Sequence, residues 1–356
     1  MSSRNFSWAV IVGFASLFAG TALANVFIDP QGVFGGEAAY RENPNWRYLE
    51  FEHYRRDASR IDGLILGSSR GRALDDGLFA SRSGTRQNLN FAVPFGLVTD
   101  HLPFLQYVVR DKKQRGERLK SVLLLLDIDL FGKSPWTNTN IDAFLPPALS
   151  GESPGRFWWR YLTAYQYKNW RDSLRLRYRT AGLDSPVETV TNSARAIPAS
   201  LSPAIIHSHP PMPRPSVATV SSEVPAGVAE DAVATAHRSR QLWNDLRPDL
   251  KRQISYLEQI VVLCRDNEII LTVATSPMIR ANTDGYPPGE LEALTEQLSQ
   301  LTPIWDFTSP PWLADNARYW VDFSHFSKAV GTMMLNRMFA GNSSEPADFG
   351  FLRGQR

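Results

Sequence analysis

The chain has 356 residues, enough for one large domain or two smaller ones. Its 43% hydrophobic and 11% aromatic content is typical of a globular protein and excludes a largely disordered one. The formal net charge is +2, from 38 basic and 36 acidic residues, which leaves no basic excess of the kind that nucleic-acid-binding proteins carry. Cys264 is the single cysteine, so an intrachain disulfide and metal sites built on cysteine pairs are excluded.

The first segment of the chain is apolar and carries no charge between Arg4 and Asp29. It predicts a cytoplasmic N-terminus over 1–7 and a transmembrane anchor over 8–28, because twenty helical residues span about 30 Å. Arg4 and the free amine are expected to stay in the cytoplasm, which places the body of the protein outside. The alternative is a cleaved signal peptide, because Ala22-Leu23-Ala24 has the small-x-small form of a cleavage site. Both interpretations export the protein.

A polar, aromatic-rich neck over 29–60 precedes a series of alternating strands and helices. Short apolar runs bounded by turn residues predict buried strands, and segments with helical spacing predict helices. This alternation is typical of a parallel sheet with helices on both faces, in which ligands bind at the carboxyl ends of the strands. The predicted elements are a helix at 48–60, a strand at 61–66, a helix at 70–81, a strand at 88–93, a helix at 98–113 and a strand at 121–128.

Two insertions interrupt this pattern. Residues 151–182 predict a helical insertion rich in aromatic and basic residues, which fits a cap over a site, a surface lying against the membrane, or helices packed on the domain. Residues 184–235 are rich in Pro, Ala, Ser, Thr and Val, and predict a flexible insertion. His207 and His209 lie there without a nearby carboxylate or third histidine, so we predict no metal site.

The regular pattern then resumes and closes the predicted sheet. A polar tail over 341–356 is predicted to be disordered. Before it, the pattern predicts a helix at 250–267, a strand at 268–274, a helix at 291–301, a strand at 303–307 and a helix at 328–339.

Two short motifs carry the chemistry of an acyl-transfer triad. The strand that ends at Gly67 presents Ser68 and Ser69, and the segment Asp322-Phe323-Ser324-His325 places a carboxylate three residues before an imidazole. A serine hydroxyl needs a base to remove its proton, and that base needs a group to orient it. We therefore predict Ser69 as nucleophile, His325 as base and Asp322 as the group that orients His325. Helix capping by the serines, with a surface histidine, is the alternative.

These residues resemble the SGNH (GDSL-like) hydrolases over 61–130 and 268–340. More narrowly, they are similar to a membrane-anchored branch whose first block reads Gly-Ser-Ser, as in proteins of lipoteichoic-acid D-alanylation and exopolysaccharide O-acetylation. The segment from Asn88 to Gly96 resembles the second block of that superfamily. The resemblance implies a three-layer, flavodoxin-like α/β fold and an oxyanion hole made by the backbone N–H groups of Ser69 and Gly96. It also implies supporting roles for Ser68, Arg70, Asn90 and Asp129.

The third block departs from the superfamily pattern. An asparagine that donates to the oxyanion is expected there, whereas Asp127-Ile128-Asp129 places Asp129 at that position. An ionised carboxylate cannot donate a hydrogen bond. Asp129 is therefore protonated, or has another task, or the oxyanion hole uses Ser69 and Gly96 alone.

The resemblance implies acyl transfer through a serine ester, most simply O-acetyl transfer to or from a cell-surface polysaccharide. The expected location is the bacterial inner membrane, as a single-pass protein with its catalytic domain in the periplasm. No metal or organic cofactor is needed, and a separate multispanning membrane protein is expected to supply the acyl group. A simple carboxylesterase or lipase, and a catalytically silent accessory protein of a polysaccharide-assembly complex, remain alternatives.

Overall fold

The computed structural model describes residues 3–35, 44–134, 141–180, 247–308, 310–340 and 345–354. The chain divides into two compact units. The anchor unit comprises residues 1–45 and 153–222, and the sheet unit comprises residues 46–152 and 223–356. The predicted flexible insertion, 184–235, lies outside the described residues.

Six strands of the described residues form one sheet in the order β2-β1-β3-β4-β5-β6. The first five strands are parallel, whereas β6 is antiparallel to β5. The order 2-1-3-4-5 is that of flavodoxin-like sheets, which bind ligands where the strand order reverses, beside β1. The strands are β1 Gly63–Gly67, β2 Asn88–Ala92, β3 Ser121–Leu126, β4 Ile270–Thr275, β5 Ile304–Asp306 and β6 Phe351–Arg353.

Helices connect the parallel strands. Among them, the part of the chain that the structure describes contains three short 3₁₀ turns, Ser69–Ala73, Ile141–Ala143 and Ala317–Tyr319. The α-helices of the described residues are α1 Ser3–Ile28, α2 Trp46–Asp57, α3 Asp76–Ser83, α4 Val98–Gln114, α5 Pro147–Ser150, α6 Pro154–Thr163, α7 Tyr167–Thr180, α8 Leu250–Asp266, α9 Arg280–Thr283, α10 Glu290–Ser299, α11 Pro311–Ala314 and α12 Lys328–Phe339.

The central strands β1 and β3 are buried on both faces of the sheet, and their successive side chains point to opposite sides. Leu64 and Leu66 pack on one face with residues of α2, α4, α8 and α10. Ile65 packs on the other face with residues of α3 and α12. The predicted α/β architecture, a mostly parallel sheet covered by helices on both faces, is therefore confirmed.

Three sequence-based boundaries are wrong, two of them before the second strand. The helix predicted over 70–81 is divided, because Leu74 adopts an extended conformation and Asp75 then caps α3 by accepting a hydrogen bond from the Leu78 N–H. The helix predicted at 48–60 is present as α2, but the domain boundary predicted after residue 60 is misplaced, because α2 belongs to the sheet unit and buries Phe51 in its core.

The third is the tail predicted to be disordered, which contributes β6 and makes the sheet mixed instead of wholly parallel. Arg353 forms an ion pair with Asp306 at 2.6 Å, and Phe349 is fully buried against Phe307. A three-residue strand held by these contacts leaves only a weak periodic signal in the sequence.

In the anchor unit, α1 is long and apolar enough over Asn5–Ile28 to cross a membrane; it is the one such helix within the described ranges. The predicted helical insertion, 151–182, contains α6 and α7, and both contact α1. The described part of the insertion therefore packs against α1.

Candidate active site

Ser69 begins the 3₁₀ turn that follows β1, at the carboxyl edge of the sheet. The turn is tight because the buried Ser68 side chain accepts a hydrogen bond from the Arg70 N–H at 3.2 Å. As the first residue of the turn, Ser69 has a backbone N–H of the kind that a helix N-terminus leaves without an intrahelical partner. A serine hydroxyl and a backbone donor therefore lie side by side.

His325 contacts both Ser69 and Asp322. Its Nε2 lies 2.8 Å from Ser69 Oγ, and its Nδ1 lies 2.8 and 2.9 Å from the two carboxylate oxygens of Asp322. A carboxylate can only accept, so Nδ1 donates to Asp322 and Nε2 is left to accept the Ser69 hydroxyl proton. The structure thus brings together the three side chains that the sequence predicts as a triad.

Asp322 also shapes the loop that carries the histidine. One of its oxygens accepts hydrogen bonds from the N–H groups of Ser324 and His325, at 2.7 and 2.8 Å. Burial raises the pKa of Asp322, but the hydrogen bonds and the charge of His325, with these backbone donors, outweigh burial and lower the pKa below its ordinary value. Asp322 is therefore ionised at neutral pH and holds His325 in one orientation.

Arg70 is buried beneath this site, and its guanidinium is fully hydrogen-bonded. It binds Asp129 through two parallel contacts of 2.6 and 2.8 Å. Its remaining donors reach Ser276 Oγ at 3.2 Å and Ser324, at the carbonyl oxygen at 3.0 Å and the hydroxyl at 3.2 Å. Arg70 follows Ser69 in the chain and Ser324 precedes His325, so this one side chain fixes the separation between nucleophile and base.

The pairing with Arg70 decides among the three states considered for Asp129. Burial raises the pKa of Asp129, but the charge and hydrogen bonds of Arg70 outweigh burial and lower it. Asp129 is therefore ionised and accepts from Arg70, so it cannot donate to an oxyanion. The neighbouring Asp127 is also buried, and burial raises its pKa above the ordinary value despite the charge of Arg70 3.5 Å away.

The Gly96 N–H, which is predicted to face the oxyanion, has an acceptor within its own loop. Its N–H donates to the Val93 carbonyl oxygen at 2.9 Å and closes the turn after β2. A side chain at this position would lie 2.6 Å from the Gly67 carbonyl oxygen, so the glycine is required by the close approach of that turn to the end of β1. Only the Ser69 N–H remains of the two predicted donors.

Asn90 is positioned as a supporting residue and does not face a reacting group. Its Nδ2 donates to the carbonyl oxygens of Gly71 and Leu74 at 3.0 and 3.3 Å, and its Oδ1 accepts from the Ala92 N–H. It therefore ties β2 to the Ser69 turn.

A second buried ion pair holds the loop between β2 and α4. Arg47 of α2 binds both oxygens of Asp100, at 2.9 and 3.1 Å, and donates to the Pro94 carbonyl oxygen at 3.1 Å. Asp100 in turn accepts from the Leu97 N–H at 3.0 Å. The loop that contains Gly96 is therefore fixed from both ends.

Sequence reasoning missed Arg47, Ser276 and Ser324. Ser276 follows β4 directly and Ser324 lies inside the Asp-x-x-His segment, so their positions were visible in the sequence. Their partner was not visible, because Arg70 is 206 residues from Ser276 and 254 residues from Ser324. Such contacts follow from the order of strands in the sheet.

Comparisons with protein-family models and with curated proteins gave no match. The function is therefore argued from the geometry of the site. No group of three or more potential metal ligands occurs among the described residues.

Proposed function

We propose that this protein is an acyltransferase of the SGNH type that works through a serine ester. The observation that carries the proposal is the continuous hydrogen-bonded series from Ser69 through His325 to Asp322. A helix cap needs no second charged partner, whereas this series has the connectivity that nucleophilic catalysis requires.

In the proposed reaction, Ser69 Oγ attacks the carbonyl carbon of an acyl donor while His325 Nε2 takes the hydroxyl proton. The tetrahedral intermediate collapses to a Ser69 ester, and His325 returns the proton to the leaving group. The hydroxyl of an acceptor then loses its proton to His325 and attacks the ester. As the bond between the acyl carbon and Ser69 Oγ breaks, His325 returns the proton to Ser69 Oγ. Asp322 stabilises the imidazolium formed in each half.

The acyl group that we propose is acetyl. The acceptor is a hydroxyl of a cell-surface polysaccharide, or, for transfer in the opposite direction, the donor is an O-acetyl ester of that polysaccharide. The support is the resemblance of the Gly-Ser-Ser and Asp-x-x-His segments to the exopolysaccharide O-acetylation branch. We further propose that α1 anchors the protein in the bacterial inner membrane with the sheet unit outside. One helix cannot carry an acyl group across a bilayer, so a multispanning partner would supply it.

The oxyanion environment favours slow hydrolysis. Asp129 cannot donate and the Gly96 N–H is engaged with Val93, which leaves the Ser69 N–H. Loss of one oxyanion donor costs roughly 10²- to 10³-fold in kcat in a serine protease. The same observations favour the catalytically silent accessory protein as the second candidate.

The test is to expose the full chain in detergent to p-nitrophenyl acetate and to measure the intact mass after acid quenching. Addition of one acetyl group, mapped to the peptide that contains Ser69, supports the proposal. Release of the acetyl group to an added acidic or neutral polysaccharide faster than to water would separate transfer from simple hydrolysis. A chain that never gains the acetyl group at Ser69 would contradict the proposal and favour the silent accessory protein.

A further inference from the structure

The helices α6 and α7 carry exposed aromatic side chains beside the apolar helix α1. The Trp159 ring lies 5.3 Å from the ring of Phe18, yet it remains 57% exposed. Tyr165, Tyr167 and Tyr178 are also more than half exposed. Exposed aromatic groups of this size indicate a surface that meets an apolar phase or a partner.

A buried polar network marks the level at which α1 leaves the hydrocarbon. The Asn25 side chain donates to the carbonyl oxygens of Leu162 and Ala164 at 3.1 and 2.9 Å, and accepts from Gln166 and Trp170. These partners lie at the end of α6, in the connection 164–166 and in the first turn of α7. Polar groups concentrated in this way are expected at the membrane boundary, because bilayer hydrocarbon offers them no partner.

The depth of Trp159 follows from helix geometry. The twenty residues from Asn5 to Ala24 cover about 30 Å, the thickness of bilayer hydrocarbon. Phe18 precedes Asn25 by seven residues and is therefore about 10 Å deeper than the boundary. Since Trp159 contacts Phe18, its ring also lies below the boundary, at the depth of about 5–10 Å typical of interfacial amphipathic helices.

The charge of this segment fits the same environment. Residues 154–180 contain seven basic residues and one acidic residue, although the whole chain has a net charge of only +2. Basic side chains with long apolar stems can reach phosphate groups while their stems stay in the acyl region, and Trp and Tyr favour the same boundary.

We infer that α6 lies within the lipid interface alongside α1, with Trp159 among the acyl chains and the basic side chains of α6 and α7 at the phosphates of the bilayer that α1 crosses. The occupant of this surface is the phospholipid bilayer. The inference rests on the membrane anchoring proposed above, and it adds that the anchor is a helical assembly and not a single helix.

The experiment measures the depth of spin labels in the full chain reconstituted into vesicles of phosphatidylcholine and phosphatidylglycerol. Labels are attached one at a time to Trp159→Cys, Tyr165→Cys, Phe14→Cys and Val262→Cys. Phe14 is 71% exposed within the apolar span, and Val262 is 41% exposed on α8 of the sheet unit. Labels at these two positions serve as references for a lipid-exposed and a water-exposed site. Cys264 is buried, and burial raises its pKa to about 12, so its thiol reacts poorly with the label. The unsubstituted chain serves as the control for any labelling of Cys264.

The label at 159 is expected to be accessible to oxygen and protected from a water-soluble nickel chelate, like the label at 14. The label at 165, which leaves the Phe18–Trp159 contact intact, is expected at the boundary. If the labels at positions 159 and 165 are as accessible to the nickel chelate as the label at 262, while the label at 14 is protected, the inference about α6 is overturned and the proposed anchoring by α1 stands. If the label at position 14 is also accessible to the nickel chelate, the proposed anchoring fails and the inference fails with it.

Discussion

Ser68 and Ser69 are adjacent residues with different hydrogen-bonding partners. Ser68 is buried and accepts from the Arg70 N–H, whereas the Ser69 hydroxyl contacts His325. We predict that Ser69→Ala abolishes acyl-serine formation with p-nitrophenyl acetate, and that Ser68→Ala keeps part of it. Intact-mass measurement after a short exposure checks both variants. An acetyl adduct that survives in Ser69→Ala and disappears in Ser68→Ala would mean that Ser68 is the nucleophile.

Asp76, at the start of α3, makes the stability of the fold depend on pH. Burial, followed by the charges of Glu50 and Asp75, raises the pKa of Asp76 to about 7, and one of its oxygens is buried without a hydrogen-bond partner. His53 and Asn90 oppose this shift less strongly. Between about pH 4 and pH 7, the folded state holds a proton on Asp76 that the unfolded state has lost, so stability falls as the pH rises through this window. Above pH 7, Asp76 is ionised in both states and adds little further change in stability.

We therefore predict that Asp76→Asn, which stays neutral, is progressively more stable than the unchanged protein as the pH rises through this window. The difference should reach the order of 4 kcal/mol above pH 7, since the pKa rises from 3.8 to about 7 and each pKa unit corresponds to about 1.4 kcal/mol. Urea unfolding in detergent at pH 4.5, 6 and 8 measures it. A difference in the free energy of unfolding that is the same at all three values would contradict the prediction.

At the scale of elements, the Arg70–Asp129 pair connects the turn after β1 to the end of β3. Both side chains are nearly buried, so removing one leaves a charge without its counterpart, which costs about 3–5 kcal/mol in comparable cases. We predict a loss of that size for Arg70→Met and for Asp129→Leu. The double variant should recover much of the free energy of unfolding, because neither member of the Arg70–Asp129 pair is left buried without the other.

Acyl-serine formation should behave differently from stability in this set of variants. The double variant lacks the contacts from Arg70 to Ser324, so the separation of Ser69 and His325 is no longer fixed. We expect its acylation rate to stay low although its stability is restored. Recovery of both quantities together would show that Arg70 acts only on folding.

The sequence predicts most strands and helices of the sheet unit because apolar runs and helical spacing report burial directly. The run at Ser121–Leu126, for example, is buried on both faces. The Ser69–His325–Asp322 set was also predictable, since a serine after a strand-ending glycine, combined with an Asp-x-x-His segment, is typical of a catalytic triad. The acceptor of the Gly96 N–H and the partners of Arg70 could not be predicted from the sequence, because they depend on which loops meet in space. The strand β6 was missed because three residues are too few to show a period.

At the scale of the whole molecule, α1 remains helical through Ile28, four residues beyond the cleavage site that the sequence suggests at Ala24. We predict that the protein stays in the membrane fraction after carbonate and high-salt washes and retains Met1 to Ala24, because neither wash removes a spanning helix. N-terminal sequencing of the mature protein is the measurement. A sequence that began at Asn25 would establish cleavage, and the geometry of the Ser69 site would be unaffected.

The separation of Ser69 and His325 by 256 residues has a consequence for biosynthesis. The ribosome makes the turn that carries Ser69 early, and the strands β2 to β5 must follow before His325 exists. An incomplete chain that stops before Asp322 therefore displays the serine without the base or the carboxylate and cannot acquire an acyl group by the proposed route. Under the proposed mechanism, translation order alone therefore prevents acylation of Ser69 in a nascent or truncated chain.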